Sequence, residues 1–139
     1  MERRVLVDAI LYVVRSGCAW RLLPGDFPPW PTVYGYFRRW SQDWTWTFIH
    51  DTLRDWLRKS EGRAVAPTAA IIDSQSVKTP DQAGESGYDA CKKIKGRKRH
   101  LAVDVLGLIL TLTITSAAIQ DRDAAKTLIA ALVKWFGRV

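Results

Sequence analysis

The chain has 139 residues, 47% of them hydrophobic and 25% charged, which is enough apolar content to fold and too much for global disorder. Lys and Arg number 21 against 14 Asp and Glu, and the resulting net charge of +7 favours a polyanionic partner. Two cysteines make no disulfide scaffold, and Cys18, His50, Cys91 and His100 fit no zinc spacing. Asp8 interrupts the apolar stretch behind Arg3 and Arg4, so no secretory signal is expected. The longest apolar run, Leu106–Ile114, is too short to span a bilayer. The expected setting is the cytoplasm, in association with the nucleoid and not with a membrane.

Val5, Leu6, Ala9, Ile10, Val13 and Val14 recur at helical spacing and predict a helix over 3–15, stopped by Ser16-Gly17. Leu23–Pro31 holds four prolines in the eight residues 24–31 and reads as a rigid loop. Thr32 can cap a second helix from Val33 to about Trp40. A third helix should start at Ser41 or Asp43 and run to about Lys59, with Trp44, Phe48, Leu53, Trp56 and Leu57 on its apolar side. Six of the seven tryptophans lie in residues 20–56. They admit two readings, the core of a small helical domain or an exposed face that stacks bases or docks a partner. The pairs Arg38-Arg39 and Arg58-Lys59 can contact phosphates or simply be solvated.

Arg63–Thr68 reads as a linker, and the periodicity changes after Pro67. Ala69–Ile72 is a short apolar run expected to form a buried central strand that delivers Asp73 at its C-terminal end. Residues 79–91 lack periodicity and predict a loop. The basic run 92–100 holds six Lys and Arg and no acid, and Gly96 would let it turn. Strands are expected near 102 and over Leu108–Ser116, joined by a tight turn at Leu106-Gly107. Asp121 and Asp123 are placed to cap a last helix with apolar positions 125, 128, 129, 132, 133 and 136.

Asp73 is the first candidate for chemistry. An unpaired carboxylate in an apolar strand is costly, whereas one at a strand end can bind a hard cation or cap the following turn. Asp104 near the hairpin reads as structural. Lys92, Lys93, Lys95, Arg97, Lys98 and Arg99 are the candidates to neutralise a phosphodiester backbone, with Arg38 and Arg39 as further candidates. The alternative for the run is a solvated loop.

Several unlike words stand in a family order. Tyr12–Trp40, YVVRSGCAWRLLPGDFPPWPTVYGYFRRW, resembles the N-terminal segment of bacterial insertion-sequence transposases with an RNase H-like, DDE-type core. IIDSQSVKT, Ile71–Thr79, is similar to the first-carboxylate motif of that family, and Gly87–Ala125 is similar to the stretch that follows it. The resemblance implies an α+β protein: a Trp-rich helical domain over 1–66, then the first half of an RNase H-like core, three strands and a helix, over 67–139. It implies DNA transposition, the cutting and joining of DNA ends with Mg²⁺ or Mn²⁺, and it places Asp73 as the first catalytic and metal-binding acid. The implied partners are terminal-repeat and target DNA, with a homo-oligomer or a mixed oligomer with full-length transposase. An Asp-Gly-Tyr-like word and a later glutamate, which would supply the second and third acids, do not occur. The chain is therefore expected to be the N-terminal portion of a truncated transposase, inactive alone. The competing expectation is a non-catalytic DNA-binding protein that modulates an intact transposase.

Overall fold

The computed structural model describes residues 2–79 and 86–137. In chain order they form helices α1 (Arg3–Ser16), α2 (Trp30–Gln42) and α3 (Thr45–Ser60), strands β1 (Ile71–Lys78), β2 (Gly87–Asp89), β3 (Ile94–Val103) and β4 (Ile109–Ser116), and helix α4 (Asp121–Phe136). This is an α+β architecture. The chain divides into two compact units, 1–53 and 54–139, with the division inside α3.

In the first unit α1 buries Leu6, Ala9, Ile10 and Val13 along one face, as the helical spacing requires. Gly17 ends the helix at φ 68°, the left-handed conformation open to a residue without Cβ, and its N–H donates to the Val13 carbonyl. The proline-rich loop follows one 3₁₀ turn, Trp20–Leu22. It leads into α2, where Pro31 occupies the first turn, a position in which a missing N–H costs nothing. The fully buried residues are aliphatic: Leu6, Ala9, Ile10 and Val33. Trp20, Trp40 and Trp46 pack around them, with Trp20 against Phe37 at 5.1 Å and Trp40 against Trp46 at 5.4 Å between ring centroids. Trp44, Trp56 and Trp135 are exposed, so the tryptophans divide between a shell around the core and the surface. Asp43 accepts the Thr45 N–H at 3.1 Å and its hydroxyl at 2.6 Å, which fixes the start of α3.

In the second unit β3 is the spine of an antiparallel sheet. β1 pairs along one edge of it, and β4 and the short β2 pair along the other. Helix α4 packs on one sheet face, with its Leu132 against Ala102 and Leu110. Arg58 and Arg54 tie the last turns of α3 to this unit. Arg58 forms a buried ion pair with Asp104, and the Arg54 guanidinium lies 5.2 Å from the Phe136 ring centre.

Five expectations need correction. The basic run is not a loop: residues 94–100 are strand β3, because alternate members have an apolar or paired environment on the covered face. Gly96 does not turn the chain; a Cβ there would lie 2.0 Å from the Val77 carbonyl oxygen, so glycine permits the close approach of β1. β1 is longer than its apolar run and is not buried. Ile71 and Ile72 are exposed, and Asp73 is the third of eight residues, not the strand end. Asp121 and Asp123 do not cap α4: the flanking residue is Gln120, without a side-chain cap, and the two acids lie in the first turn. The stretch read as a loop over 79–91 contains β2, and its residues 80–85 lie outside those described.

Candidate nucleic-acid interface and acidic site

Side chains alternate between the faces of a sheet, and residues paired across antiparallel strands share a face. The register therefore sorts the polar residues of β1 and β3. Ser74 pairs with His100 and Ser76 with Lys98; Asp73 pairs with Leu101, Gln75 with Arg99 and Val77 with Arg97. The first two pairs belong to the face carrying Ala102, which α4 covers. The other three belong to the face away from α4.

On the covered side, Lys98 is buried between two carboxylates, with its Nζ 3.2 Å from Asp89 and 3.2 Å from Asp121. Burial alone would lower its pKa, but the hydrogen bonds to Asp121 and Asp89 outweigh it and the ammonium is held charged. The Asp89 carboxylate accepts the Ser76 hydroxyl at 2.7 Å and the N–H groups of Cys91 and Lys92 at 3.1 Å each. These bonds, the Ser76 hydroxyl foremost, hold it well below the usual carboxylate range. Burial works against the charge on Asp121, but the Ser74 hydroxyl and Lys98 prevail and lower its pKa. His100 is buried, with Nε2 2.9 Å from the Thr115 hydroxyl, and burial pushes its pKa down, so the ring stays neutral.

Lys98 therefore leaves the set of six candidate phosphate contacts: it is an internal counter-ion for Asp89 and Asp121. The other five are at the surface. Lys92 is exposed and donates to the Ser74 carbonyl at 3.2 Å. Lys93 is exposed in the β2–β3 turn, with φ 54°. Lys95 and Arg99 are exposed, and Arg97 is half-buried. Lys95, Arg97 and Arg99 stand on the face away from α4, and the Arg99 guanidinium donates to the Gln75 side-chain carbonyl at 2.6 Å. Arg38 and Arg39 are exposed on α2, with Arg39 4.7 Å from the Tyr36 ring centre.

Asp73 is exposed on the face that carries Gln75 and Arg99. Its carboxylate accepts the Ser74 N–H at 2.8 Å. A divalent hard cation needs several oxygen ligands in fixed geometry. Among the described residues no group of three His, Cys, Asp or Glu could hold a metal ion. Asp89 and Asp121 are on the other face and already hold Lys98. The described residues do not by themselves fit a Mg²⁺ or Mn²⁺ site.

Two family models match the chain. Residues 1–63 match the DUF4096 family of IS4/5 transposases, and residues 66–139 match the transposase DDE domain. The chain belongs to the DDE transposases of insertion sequences. No curated protein and no solved structure matches it. Membership associates the transposase with DNA, with transposition and with a family that uses divalent metal ions. No helix among its described residues is long and apolar enough to cross a membrane.

Sequence reasoning passed over Gln75, Tyr88, Asp89 and the two serines of β1. The signal for the cations was present as Lys95-x-Arg97-x-Arg99, a period of two within the charge run. Asp89 had no such signal, because its partners Ser76 and Lys98 are distant in sequence.

Proposed function

We propose that this transposase chain binds DNA through phosphate contacts of Lys92, Lys93, Lys95, Arg97 and Arg99, with Arg38 and Arg39 of the first unit as separate phosphate contacts. In this reading Asp73 is the first catalytic acid of a phosphoryl-transfer site on insertion-sequence DNA ends. The observation that carries it is the placement of Asp73, with its carboxylate exposed on the sheet face that also presents Gln75, Arg97 and Arg99. Exposed cations release counterions from DNA, and the binding they give depends steeply on salt.

That face supplies one carboxylate among the described residues, and phosphoryl transfer with two metal ions needs a cluster of them. The same observation supports a second reading, a DNA-binding transposase relative that regulates an active one without cutting. In both readings the 139-residue chain alone binds DNA and does not nick it. The experiment is a nicking assay on an insertion-sequence end in the presence of Mg²⁺ or Mn²⁺, with Asp73→Asn beside the wild type. Binding without nicking in both proteins is the expected result. Nicking by the wild type that disappears in Asp73→Asn would show that a second acid or second subunit completes the site. Absence of DNA binding at low salt would overturn both readings.

A further inference from the structure

The six cations of residues 92–100 look uniform in sequence, and the sheet separates them. Lys98 faces α4 between Asp89 and Asp121, and Lys92 reaches back to the Ser74 carbonyl. Lys95, Arg97 and Arg99 lie at alternate positions of one strand, on the other face. Alternate residues in a strand are about 6.7 Å apart, so the three cationic groups form a row along β3.

Two features lie beside that row. Tyr88 of β2 pairs directly with Lys95 and is 56% exposed, so its ring is open to a flat partner. A shallow cavity of about 380 Å³ is lined by Arg97, Ile114, Thr115, Ser116 and Ile119. Its volume falls at the lower end of the range of small-ligand pockets. Ser116 and Ile114 of β4 pair with Arg97 and Arg99 of β3, as Tyr88 of β2 pairs with Lys95, and paired residues share a face. Aromatic ring, row of cations and cavity lining therefore lie on one sheet face.

We infer that this face is a track for a single nucleic-acid strand: Lys95, Arg97 and Arg99 take successive phosphates, Tyr88 stacks a base, and the cavity beside Arg97 accepts a base or sugar. The inference rests on the proposed DNA binding and deepens it, by naming the face and the form of the ligand. Charge complementarity selects a polyanion. The exposed aromatic ring selects one with flat bases, since stacking on an aromatic side chain is tolerant of sequence and adds to phosphate contacts. The track runs along β3 toward the pair Gln75–Arg99, two positions from Asp73 on the same face of β1. A strand held there is led to the one acid that face supplies among the described residues.

The test uses the full 139-residue chain and a fluorescein-labelled oligonucleotide, single-stranded or as a duplex, with Kd measured across a salt series. The variants are K95Q/R97Q/R99Q for the track, K92Q/K93Q for the turn, and Y88A with Y88F as its conservative partner. Far-UV circular dichroism confirms that each is folded. The track variant should weaken single-strand binding at least tenfold and reduce the salt slope by about two, since each phosphate contact contributes about 0.7 on a single strand. The turn variant should change the slope by less. Y88A should weaken single-strand binding about tenfold, Y88F should bind as the wild type, and the duplex should be less sensitive to Y88A than the single strand. A larger slope change from K92Q/K93Q than from the track variant would overturn the inference and leave DNA binding intact. Heparin bound as tightly as the oligonucleotide, with Y88A and wild type alike toward both, would overturn the nucleic-acid track in favour of a plain cationic patch. Failure of the wild type to bind DNA would overturn the underlying reading itself.

Discussion

Strand β3 has two faces made from one basic sequence, and they do opposite things. Toward α4 its side chains are Lys98, His100 and Ala102, all buried, with the lysine ion-paired and the histidine hydrogen-bonded. Toward the other side they are Lys95, Arg97, Arg99 and Leu101, which are exposed or half-buried. The difference lies in what each face meets. Asp89 and Asp121 converge on the covered face and hold one ammonium there, whereas among the described residues of β1 and β3 the opposite face carries one carboxylate, that of Asp73. A run of like charges is therefore a poor unit of interpretation within a strand. Each charge has to be assigned by the parity of its position.

The largest effects are expected on the covered side. Asp104 is buried and pairs with Arg58, and it also accepts the N–H groups of Leu106 and Leu108 at 2.9 Å each. Burial opposes its charge, but the Leu108 N–H, Arg58 and the Leu106 N–H keep its pKa low. Asp104→Ala strands a buried guanidinium and should cost about 3–5 kcal/mol in urea unfolding. A loss under about 1 kcal/mol would show that Arg58 finds water or another partner.

The comparison of faces is sharpest at Lys98 and Arg99, neighbours in sequence. Lys98→Met should cost about 2 kcal/mol, less than a fully buried pair because Asp121 is half exposed. Arg99→Met should stay within about 0.5 kcal/mol, as a surface change does. Equal losses at the two positions would break the assignment of faces.

The covered side should also respond to pH. The His100 pKa in the folded protein lies below its ordinary 6.5. As pH falls through 6.5 the unfolded chain takes up a proton that the folded chain resists, so stability falls. The lowered carboxyl groups Asp89, Asp104 and Asp121 hold their full contribution above 3.8 and lose it as pH falls further. The urea midpoint of the wild type should therefore decline between pH 7 and 5 more than that of His100→Gln. Parallel declines would remove His100 as the cause.

Asp73→Asn should have the smallest effect. The residue is exposed, so stability should change by less than about 0.5 kcal/mol. DNA binding should scarcely change, with any shift toward tighter binding because one negative charge is lost. A tenfold loss of binding would show that Asp73 organises the face.

Much of this was legible in the sequence. Helix α1 followed from apolar spacing: the reading 3–15 became Arg3–Ser16, and Gly17 ended it as its freedom at positive φ allows. The second helix begins at Trp30 and not behind a Thr32 cap, and the apolar positions read for the third, Trp44, Phe48, Leu53, Trp56 and Leu57, are exposed. The resemblance carried by Tyr12–Trp40 and Ile71–Thr79 led to the family. Two things were not legible. β1 extends through Ser74-Gln75-Ser76, polar residues that look like a turn, because their hydroxyls find Asp121 and Asp89 only once the sheet is assembled. The fate of Lys98 was hidden for the same reason: both its partners are distant in sequence, and a long-range ion pair leaves no periodic trace. Asp121 and Asp123 looked like caps at the right spacing, but Asp121 was drawn to Lys98 and Asp123 pairs with Lys126 at 3.0 Å.

The most direct test of the central claim, that DNA lies on the Asp73 face of the sheet, is site-directed photocrosslinking. Cys18 and Cys91 are replaced by serine, and single cysteines are introduced as Asp73→Cys on β1 or Asp123→Cys on α4, both at exposed positions. Each is labelled with an azidophenacyl group and irradiated with a radiolabelled insertion-sequence end. The account predicts a crosslink from position 73 that high salt removes, and little from position 123. Crosslinking from position 123 with none from position 73 would contradict it, placing the DNA against α4 and away from the only acid on the open face among the described residues.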